Sequence, residues 1–412
     1  MKILVVGGGS GGHITPAVAV IREVLDRKPR TKIEFWTDKK YYKNVVKITT
    51  EIGVHWGDES KIGSREKPYI RVRKIKAGKF HRYSGMKLSD YFDEHMKTLR
   101  VMTFGNLFGF FGFVGGLITA FCRLFLKKNR PDIIFLKGGF VGLPVGLVAK
   151  WFKIPYVIHE SDAVPGLANR LLMKRAKVVA MGSPFDKGIV GRENWEWVGI
   201  PVAAEYKKVS ATTQKQLKRS AGFDSEKPLV MVTGGSQGSK HIDYAMREIL
   251  PEVLKFSSVG LVAGRKHYED MVDLKKYEEW DKAKLQSNFR MWEFSPAMNE
   301  LLGAADVVVS RAGMTTIAEL ATLGKPVILV PFEKLPGSHQ MKNAERLERE
   351  NAAIVVPDSE MVEKPEVLLN AIKTLVRSPK KREELSAKLQ EEAKSDAAAR
   401  LADILIENAG KA

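Results

Sequence analysis

Residues 307–344 read VVVSRAGMTTIAELATLGKPVILVPFEKLPGSHQMKNA, and this stretch decides the fold. A β-branched run, Val307–Val309, is followed by a turn that closes at Gly313, and the apolar residues then recur at helical spacing. A Gly-Lys-Pro run at 324–326 stops the helix before a second apolar strand, Val327–Val330. Strand, glycine turn, helix and strand within about 30 residues predict a βαβ unit with a parallel sheet.

Polar residues cluster where the two strands of this unit end. Parallel sheets bind ligands at their C-terminal strand ends, where a helix N-terminus offers unpaired N–H groups to an anion. The carboxylate of Glu319 is poorly suited to contact a phosphate, but it could accept hydrogen bonds from both hydroxyls of a ribose. A nucleotide-sugar site is therefore predicted from Arg311, Thr315, Thr316 and Glu319, with His339, Gln340 and Asn343 after the second strand.

A strand that runs into a glycine loop and a helix occurs twice in the chain. Residues 2–12 read KILVVGGGSGG, with a helix from about His13, and the pattern recurs at 228–239. The loop reads either as a tight turn or as a site where backbone N–H groups close on an anion. A dinucleotide site would need an acid after the second strand, and Asp38 fits that spacing only fairly. His13 could act as a base at the loop, or lie at the surface.

Polar residues also follow two further predicted strands, Asp132–Leu136 and Pro155–Ile158. The first ends in Lys-Gly-Gly-Phe at 137–140 and the second in His-Glu-Ser-Asp at 159–162. Such strand ends would meet at the same sheet edge as the first glycine loop. His159 and Glu160 are equally consistent with a catalytic and with a structural role.

The overall composition restricts the function classes. The 412 residues carry a formal net charge of +19 and a single cysteine, Cys122, which excludes an intramolecular disulfide and suits a reducing cytoplasm. We find no helix-turn-helix, zinc-finger spacing or RNP-like aromatic pattern, so nucleic acid is not the expected partner. The positive net charge is then explained by an anionic membrane surface or an anionic substrate. Met1 leads directly into a strand, which argues against a secretory signal peptide.

Basic and apolar segments lie next to each other. Residues 61–100 hold 12 Lys/Arg against 4 Asp/Glu, and no charge occurs between Val101 and Cys122. The segment 101–128 is long enough to span a bilayer, but a span would separate strands of one sheet. The alternatives are a buried helix, or a partly exposed apolar surface that enters the headgroup region beside the basic residues, which the two adjacent signals favour.

Several spaced motifs, taken together, give the chain a family resemblance. They are GGSGGH at 8–13, KGGFVGLP at 137–144, HES at 159–161, GGSQGS at 234–239, SRAGMTTIAE at 310–319 and HQMKNA at 339–344. In these motifs the chain resembles the MurG family of bacterial glycosyltransferases, within glycosyltransferase family 28. The resemblance covers nearly the whole chain except about residues 58–100, which look like an insertion.

The resemblance implies an α/β fold of the GT-B class, with two Rossmann-like domains whose parallel sheets face each other across a cleft. Residues 1–199 would bind the acceptor and the membrane, and residues 200–391 the UDP-sugar donor. The helix at about 392–412 would pack back on the first domain.

The activity implied is inverting transfer of N-acetylglucosamine from its UDP derivative to lipid I, giving lipid II for peptidoglycan. The implied location is peripheral, on the cytoplasmic face of the plasma membrane, with other cell-wall synthesis proteins as further partners. A related glycolipid synthase with another UDP-sugar or lipid acceptor is the alternative, as is a UDP-sugar-binding protein with weakened catalysis.

The resemblance also assigns residues. His13 is the implied base, with Glu160 as its rival. Ser10 to Gly12 match a loop that would face the acceptor pyrophosphate, and they are also expected among the donor-binding positions. Acceptor-binding positions are Gly9, Gly138, Gly139 and Phe140. Donor-binding positions are Ser10, Gly11, Gly12, Asp162, Gly235, Ser236, Gln237, Gly238, Ser295, Arg311, Gly313, Met314, Thr315, Thr316, Glu319, His339, Gln340 and Asn343.

Neither a cofactor nor a metal is expected. No Asp-x-Asp sequence occurs in the chain, so glycine-loop N–H groups, a helix N-terminus and Arg311 would stabilise the leaving UDP. Two positions depart from the family pattern. Asp162 replaces an asparagine beside the pyrophosphate, and Ala203 replaces an arginine of the donor site, with Lys207 or Lys208 as candidate substitutes.

Overall fold

A computed structural model of the chain describes residues 1–52, 54–55, 69–78, 95–162, 165–184, 194–235, 238–264, 267–272, 287–333 and 338–410. For residues 51–52, 54–55, 69 and 95–105 it describes the backbone alone. The chain divides into two compact units, Met1–Ala203 with Ser395–Ala412, and Ala204–Lys394.

The first unit contains an eight-stranded sheet in the order β3-β4-β2-β1-β5-β6-β7-β8. Every pairing in it is parallel. The central strands are continuous apolar runs because helices cover both faces of the sheet. The strands are β1 Lys2–Val6, β2 Lys32–Thr37, β3 Val54–His55, β4 Tyr69–Lys74, β5 Ile133–Leu136, β6 Tyr156–Glu160, β7 Val178–Met181 and β8 Trp195–Trp197.

Helices α1 and α15 cover one face of this sheet, and α3 and α4 cover the other. Leu401 and Leu405 of α15 are buried with Ile14 and Ile21 of α1, so the C-terminal helix completes the core of the first unit. The helices of the unit are α1 Gly11–Arg27, α2 Tyr42–Ile52, α3 His95–Phe125, α4 Gly139–Trp151, α5 Leu167–Leu172 and α15 Ala397–Asn408, with short 3-10 helices at Lys127–Asn129 and Met173–Arg175.

The second unit contains a six-stranded parallel sheet in the order β11-β10-β9-β12-β13-β14. Its strands are β9 Leu229–Thr233, β10 Ser258–Val262, β11 Phe289–Trp292, β12 Val307–Ser310, β13 Val327–Leu329 and β14 Ile354–Val355. Its helices are α6 Ala211–Ser220, α7 Lys240–Leu254, α8 Tyr268–Val272, α9 Met298–Ala304, α10 Met314–Leu323, α11 His339–Arg349, α12 Asp358–Glu363, α13 Glu366–Arg377 and α14 Pro379–Gln390. Two Rossmann-like units with parallel sheets confirm the predicted fold class.

The strand order of each sheet predicts where a ligand binds. In the first sheet, β1 lies between β2 and β5, so the direction of winding reverses between β1 and β5. In the second sheet it reverses between β9 and β12. Open parallel sheets bind ligands in the crevice at such a point, beyond the C-terminal strand ends. The glycine loops found in the sequence follow β1, β5, β9 and β12.

Three expectations about the first unit are corrected by the structure. His159 and Glu160 belong to β6 rather than following it. The sequence predicts a helix over Pro144–Trp151, because proline favours a helix start, but α4 begins at Gly139 and Pro144 is its sixth residue. Residues 69–74, placed in an insertion by the sequence, form β4 and pair with β2. The remainder of 58–94, apart from 75–78, lies outside the described residues.

The apolar segment forms part of α3, whose stretch Asn106–Phe125 has a mean hydropathy of 1.8 and is long enough to cross a membrane. However, β4 before it and β5 after it belong to one sheet, which is incompatible with a bilayer between them. Ala120 and Leu124 pack into the core with α4. A Cβ on Gly116 would lie 2.4 Å from the carbonyl oxygen of Lys76, so this glycine permits close backbone contact.

The outer side of α3 is exposed, as expected if the segment forms a partly exposed apolar surface. The apolar surface formed by α3 and the end of α4 comprises exposed Leu107, Phe108, Phe110, Phe111, Ile118, Phe125 and Trp151. The ring of Phe121 in α3 joins the two helices through Trp151 of α4, at 5.8 Å between centroids, and it also contacts Phe125 of its own helix at 5.5 Å. Exposed Lys127, Lys128, Lys150 and Lys153 border this surface.

Candidate functional site

The loops after β1 and β5 pack against each other in the first unit. Gly9 has a φ of +81°, and a Cβ there would lie 2.7 Å from Cε1 of Phe140. Asp38 accepts hydrogen bonds from the backbone N–H of Gly9 (3.2 Å) and of Tyr41 (3.0 Å). Because Asp38 orients the glycine loop itself, the dinucleotide interpretation loses its candidate ribose acceptor. Ser10 to Gly12 open α1, which has no acidic residue in its first turn.

His13 lies between these two loops in a defined tautomer. Its Nδ1 is 2.6 Å from the carbonyl oxygen of Gly8. A carbonyl oxygen only accepts, so Nδ1 carries the proton and Nε2 keeps its lone pair. A Cβ on Gly139 (φ +76°) would lie 2.9 Å from Cε1 of His13, so only glycine lets the backbone approach the ring. The pKa of His13 is lowered, first by burial and second by Lys137. The ring is therefore neutral at physiological pH.

Glu160 is occupied by hydrogen bonds with its own surroundings. It is buried, and its Oε1 accepts from the N–H of Asp162 (3.1 Å). Its Oε2 accepts from the N–H of Gly166 (2.9 Å) and from Nδ2 of Asn169 (2.8 Å). A Cβ on Gly138 would lie 2.8 Å from that same Nδ2. Glu160 thus holds the loop after β6 and, through Asn169, supports the glycine pair after β5.

The second unit presents its own pair of loops after β9 and β12. Gly235 (φ +76°) donates its N–H to Oγ1 of Thr233 at 3.1 Å, and Ser239 caps α7. A Cβ on Gly238 would lie 2.2 Å from the carbonyl oxygen of Ala263, so the loop requires glycine there. Ser236 and Gln237 lie outside the described residues. Ser295, three residues beyond β11, accepts from the N–H of Ala297 at the same sheet edge.

The N-terminus of α10 carries no side-chain cap. Gly313 is its N-cap, without a side-chain cap or an acidic residue in the first turn. Met314 is buried there, and Thr315 and Thr316 are half-buried in the same turn. The positive end of the helix dipole at such a terminus favours phosphate.

Arg311, expected to help neutralise the leaving group, is paired within the unit. Its Nη1 donates to Asp358 Oδ1 (2.5 Å) and to the carbonyl oxygen of Val330 (3.1 Å). Asp358 Oδ2 lies 2.7 Å from Nδ1 of His241, the second residue of α7. The buried Asp358 therefore already balances the charge of Arg311 and also ties the start of α7 to the ends of β12 and β13.

Glu319 is half-buried on α10, and burial raises its pKa to about 8. The pKa of Tyr206 is raised by burial and by the nearby Glu319. Sequence reasoning missed Tyr206, because a tyrosine about 110 residues before Glu319 gives no local signal.

The polar residues of α11 bind the strand ends. Gln340 Oε1 accepts from the N–H of Phe332 (2.9 Å), which leaves its amide nitrogen for a ligand. Asn343 is buried and donates from Nδ2 to the carbonyl oxygen of Ala312 (3.2 Å). His339 is the first residue of α11. All three thus lie near the loops after β12 and β13, as the sequence predicts.

Lys208, one of the two candidate substitutes for the missing arginine, does not lie at the N-terminus of α10. Lys207 is exposed, and Lys208 Nζ donates to Gln390 Oε1 at 3.3 Å. Gln390 in turn packs on Gly324, the C-cap of α10. A ten-residue helix is about 15 Å long, so Lys208 is at the wrong end to replace the missing arginine. No group of three or more His, Cys, Asp or Glu side chains able to hold a metal occurs in the described part of the chain.

Comparisons with known proteins match nearly the whole chain. The glycosyltransferase family 28 N-terminal domain matches residues 3–181, and the C-terminal domain of the same family matches residues 229–401. The UDP-N-acetylglucosamine–N-acetylmuramyl-(pentapeptide) pyrophosphoryl-undecaprenol N-acetylglucosamine transferase of Bacillus pumilus is 33% identical over 409 residues, covering 99% of both chains.

The enzyme of the same name from Listeria welshimeri is 31% identical, covering 98% of this chain and 99% of the relative. Among solved structures, Acinetobacter baumannii MurG superposes with a TM-score of 0.65 at 22% identity, covering 98% of this chain and 99% of that one.

Proposed function

Because this chain belongs to the MurG family of N-acetylglucosaminyltransferases, within glycosyltransferase family 28, we propose that it transfers N-acetylglucosamine from UDP-N-acetylglucosamine to lipid I. The acceptor is the 4-hydroxyl of the muramoyl sugar of undecaprenyl-pyrophosphoryl-MurNAc-pentapeptide, and the product is lipid II. The observation that carries the proposal is the full-length match to such transferases, with four of the six family motifs beginning at the ends of β1, β5, β9 and β12, where the winding of each parallel sheet reverses.

His13 is the proposed base. As the acceptor hydroxyl attacks the anomeric carbon in line, its proton passes to Nε2, while the bond between that carbon and the UDP oxygen breaks with inversion. The hydrogen bond from Nδ1 to Gly8 supports this assignment, since it leaves Nε2 as the proton acceptor. Glu160 is the weaker candidate because both of its oxygens already accept hydrogen bonds from the protein.

The departing UDP carries the negative charge, which requires preorganised donors. We assign that role to the positive N-terminal end of the α10 dipole and to the glycine loop after β9. Glu319 accepts from the ribose hydroxyls, and Gln340 donates from its amide nitrogen to the transferred sugar. Arg311 acts by holding Asp358 and the start of α7, since its guanidinium is already paired.

Peripheral membrane binding brings the enzyme to its polyprenyl acceptor. The exposed aromatic side chains of α3 and Trp151 would enter the headgroup region, and the lysines that border them would meet anionic lipids. The strongly positive net charge of +19 favours such a surface in general.

The test is turnover by purified protein of UDP-N-acetylglucosamine with a lipid I analogue, followed by UDP release in the presence of a chelator. Acceptor-dependent UDP release and formation of the disaccharide product are expected. UDP-N-acetylglucosamine binding without release would contradict the proposed acceptor. Release only from a different UDP-sugar would favour the related glycolipid synthase, and donors that differ in the sugar provide the matched comparison.

A further inference from the structure

One buried cation of the first unit has no part in the mechanism so far. Lys137 follows β5 and is 1% exposed, and its Nζ donates to Oγ of Ser161 at 2.6 Å. Burying an ammonium group is costly unless nearby groups compensate. Burial lowers the pKa of Lys137 to about 8, while Glu160 and Asp162 oppose that shift. Asp162, which departs from the family pattern, therefore lies within the electrostatic field of this lysine.

Backbone contacts bring Lys137 close to the proposed base. β1 and β5 are parallel neighbours, with Val6 paired to Leu136, and the N–H of Lys137 donates to the carbonyl oxygen of Val6 at 3.0 Å. Two residues after Lys137, the backbone of Gly139 lies against the His13 ring. The loop that touches His13 thus begins at Lys137, and Ser161 at the end of β6 holds the ammonium there.

We propose that Lys137 is a positioning residue of the transferase reaction: its buried ammonium, held by Ser161 between the ends of β5 and β6, keeps the neighbouring His13 imidazole neutral and able to accept the acceptor's proton. The proposal rests on the proposed function for its catalytic consequence. The effect of the Lys137 charge on the pKa of His13 does not depend on which substrate the enzyme uses.

The charges around His13 support this role. Its lowered pKa is caused first by burial and second by Lys137, whereas the Gly8 carbonyl, Glu160 and Asp38 oppose the shift. The pKa of His159 is likewise far below its usual value through burial and Lys137. Without the lysine charge, burial alone would oppose the Gly8 carbonyl and the two carboxylates, so the pKa of His13 would rise. A protonated imidazole has no lone pair at Nε2 and cannot act as a base.

The experiment is an NMR titration of labelled histidine side chains in wild type, Lys137→Met and Lys137→Gln, with His13 assigned from a His13→Gln spectrum. Methionine is of similar length and uncharged, and glutamine retains a hydrogen bond to Ser161. Lys177→Met is the control, because Lys177 is an exposed lysine just before β7, at the opposite edge of the same sheet. The His13 midpoint is expected to move to higher pH in both Lys137 variants and to stay in place in the control.

The catalytic part is tested by the pH profile of kcat at saturating donor and acceptor, because kcat/KM would also report the ionisation of Glu319 that donor binding requires. The acidic limb of this profile should move to higher pH in the Lys137 variants, as the NMR midpoint of His13 does. An unmoved or lowered His13 midpoint in the folded variants overturns the proposal. An NMR shift with an unchanged acidic limb overturns its catalytic part. Absence of turnover in the wild type with every lipid acceptor refutes the proposed function, while the NMR titration still decides the electrostatic coupling.

Discussion

Donor binding should strengthen as the pH rises from 6 to 8, because Glu319 must lose a proton to accept both ribose hydroxyls. Burial raises its pKa to about 8 in the unliganded protein. Hydrogen bonds from the ribose favour the ionised carboxylate, so the bound pKa is lower than the free one. By linkage, the donor binds with release of a proton, and its affinity increases up to the free pKa.

The magnitude follows from the ionised fraction of the free protein. With a pKa of about 8, roughly 1% of free sites are ionised at pH 6, about 10% at pH 7 and half at pH 8. If the ionised form alone binds, Kd decreases about tenfold from pH 6 to 7 and about fivefold from pH 7 to 8. Calorimetry at pH 7 in two buffers of different ionisation enthalpy should then show about 0.9 proton released per site.

The ligand for this test is UDP-N-acetylglucosamine, since its diphosphate diester does not titrate in this range. Glu319→Gln is the matched control: it should bind more weakly at pH 8, with a Kd that varies little between pH 6 and 8. A wild-type Kd that is constant over this range, or proton uptake on binding, would refute the assigned role of Glu319.

Three further predictions concern other parts of the chain. His13→Ala should lower kcat by about 10²–10⁴-fold without weakening donor binding measured by calorimetry. The control Thr15→Ala, at an exposed position of the same helix, should remain active. Full activity of His13→Ala would show that His13 is not the base. The double variant Phe108→Ser, Phe111→Ser should bind anionic vesicles at least tenfold more weakly in sedimentation, since each exposed ring contributes about 1.5–3 kcal/mol on burial. The control Val362→Ser, at another exposed apolar residue, should bind as the wild type does. An equal loss of vesicle binding in both would contradict the proposed membrane surface. Asp243→Asn should raise the free energy of unfolding in urea titrations by up to about 5 kcal/mol at pH 8 and by less at pH 5, because burial raises the pKa of Asp243 from 3.8 to about 8. The same change at both pH values, or a destabilisation, would contradict this explanation.

The expected stabilisation by Asp243→Asn follows from the burial of Asp243. The side chain is 1% exposed, and its carboxylate oxygens have no hydrogen-bond partner among the described residues. Burial raises its pKa from 3.8 to about 8, while Arg311 opposes the shift. The folded state therefore requires the neutral acid, and stability is lost as the pH rises from the unfolded pKa to the folded one. Asparagine is neutral at every pH and does not carry this loss.

The sequence predicted the features that depend on neighbouring residues. A β-branched run followed by glycines and a helical pattern identifies a strand, a loop and a helix, because backbone sterics act over a few residues. The repetition of that pattern at 2–12 and 228–239 correctly indicated two parallel-sheet units. The strand ends near His13, Glu319 and Gln340 were predicted for the same reason, since parallel strands all end at one edge.

Boundaries and partners depended on packing that adjacent residues do not report. β6 continues through His159 and Glu160 because both are buried in the sheet, although their polar side chains suggested a loop. The glycines of α3 weaken an isolated helix, yet Gly116 is required because the backbone of Lys76 passes close to it.

The sequence by itself thus determined the fold class, the glycine loops and the positions of the candidate ligands, all of which follow from local propensity and strand direction. Only the tertiary structure decided which polar groups remain available. Arg311 is paired with Asp358, 47 residues away, and Lys137 with Ser161, 24 residues away. Hydrogen bonding and desolvation depend on distance in space, and folding brings together residues whose separation along the chain carries no signal of their contact.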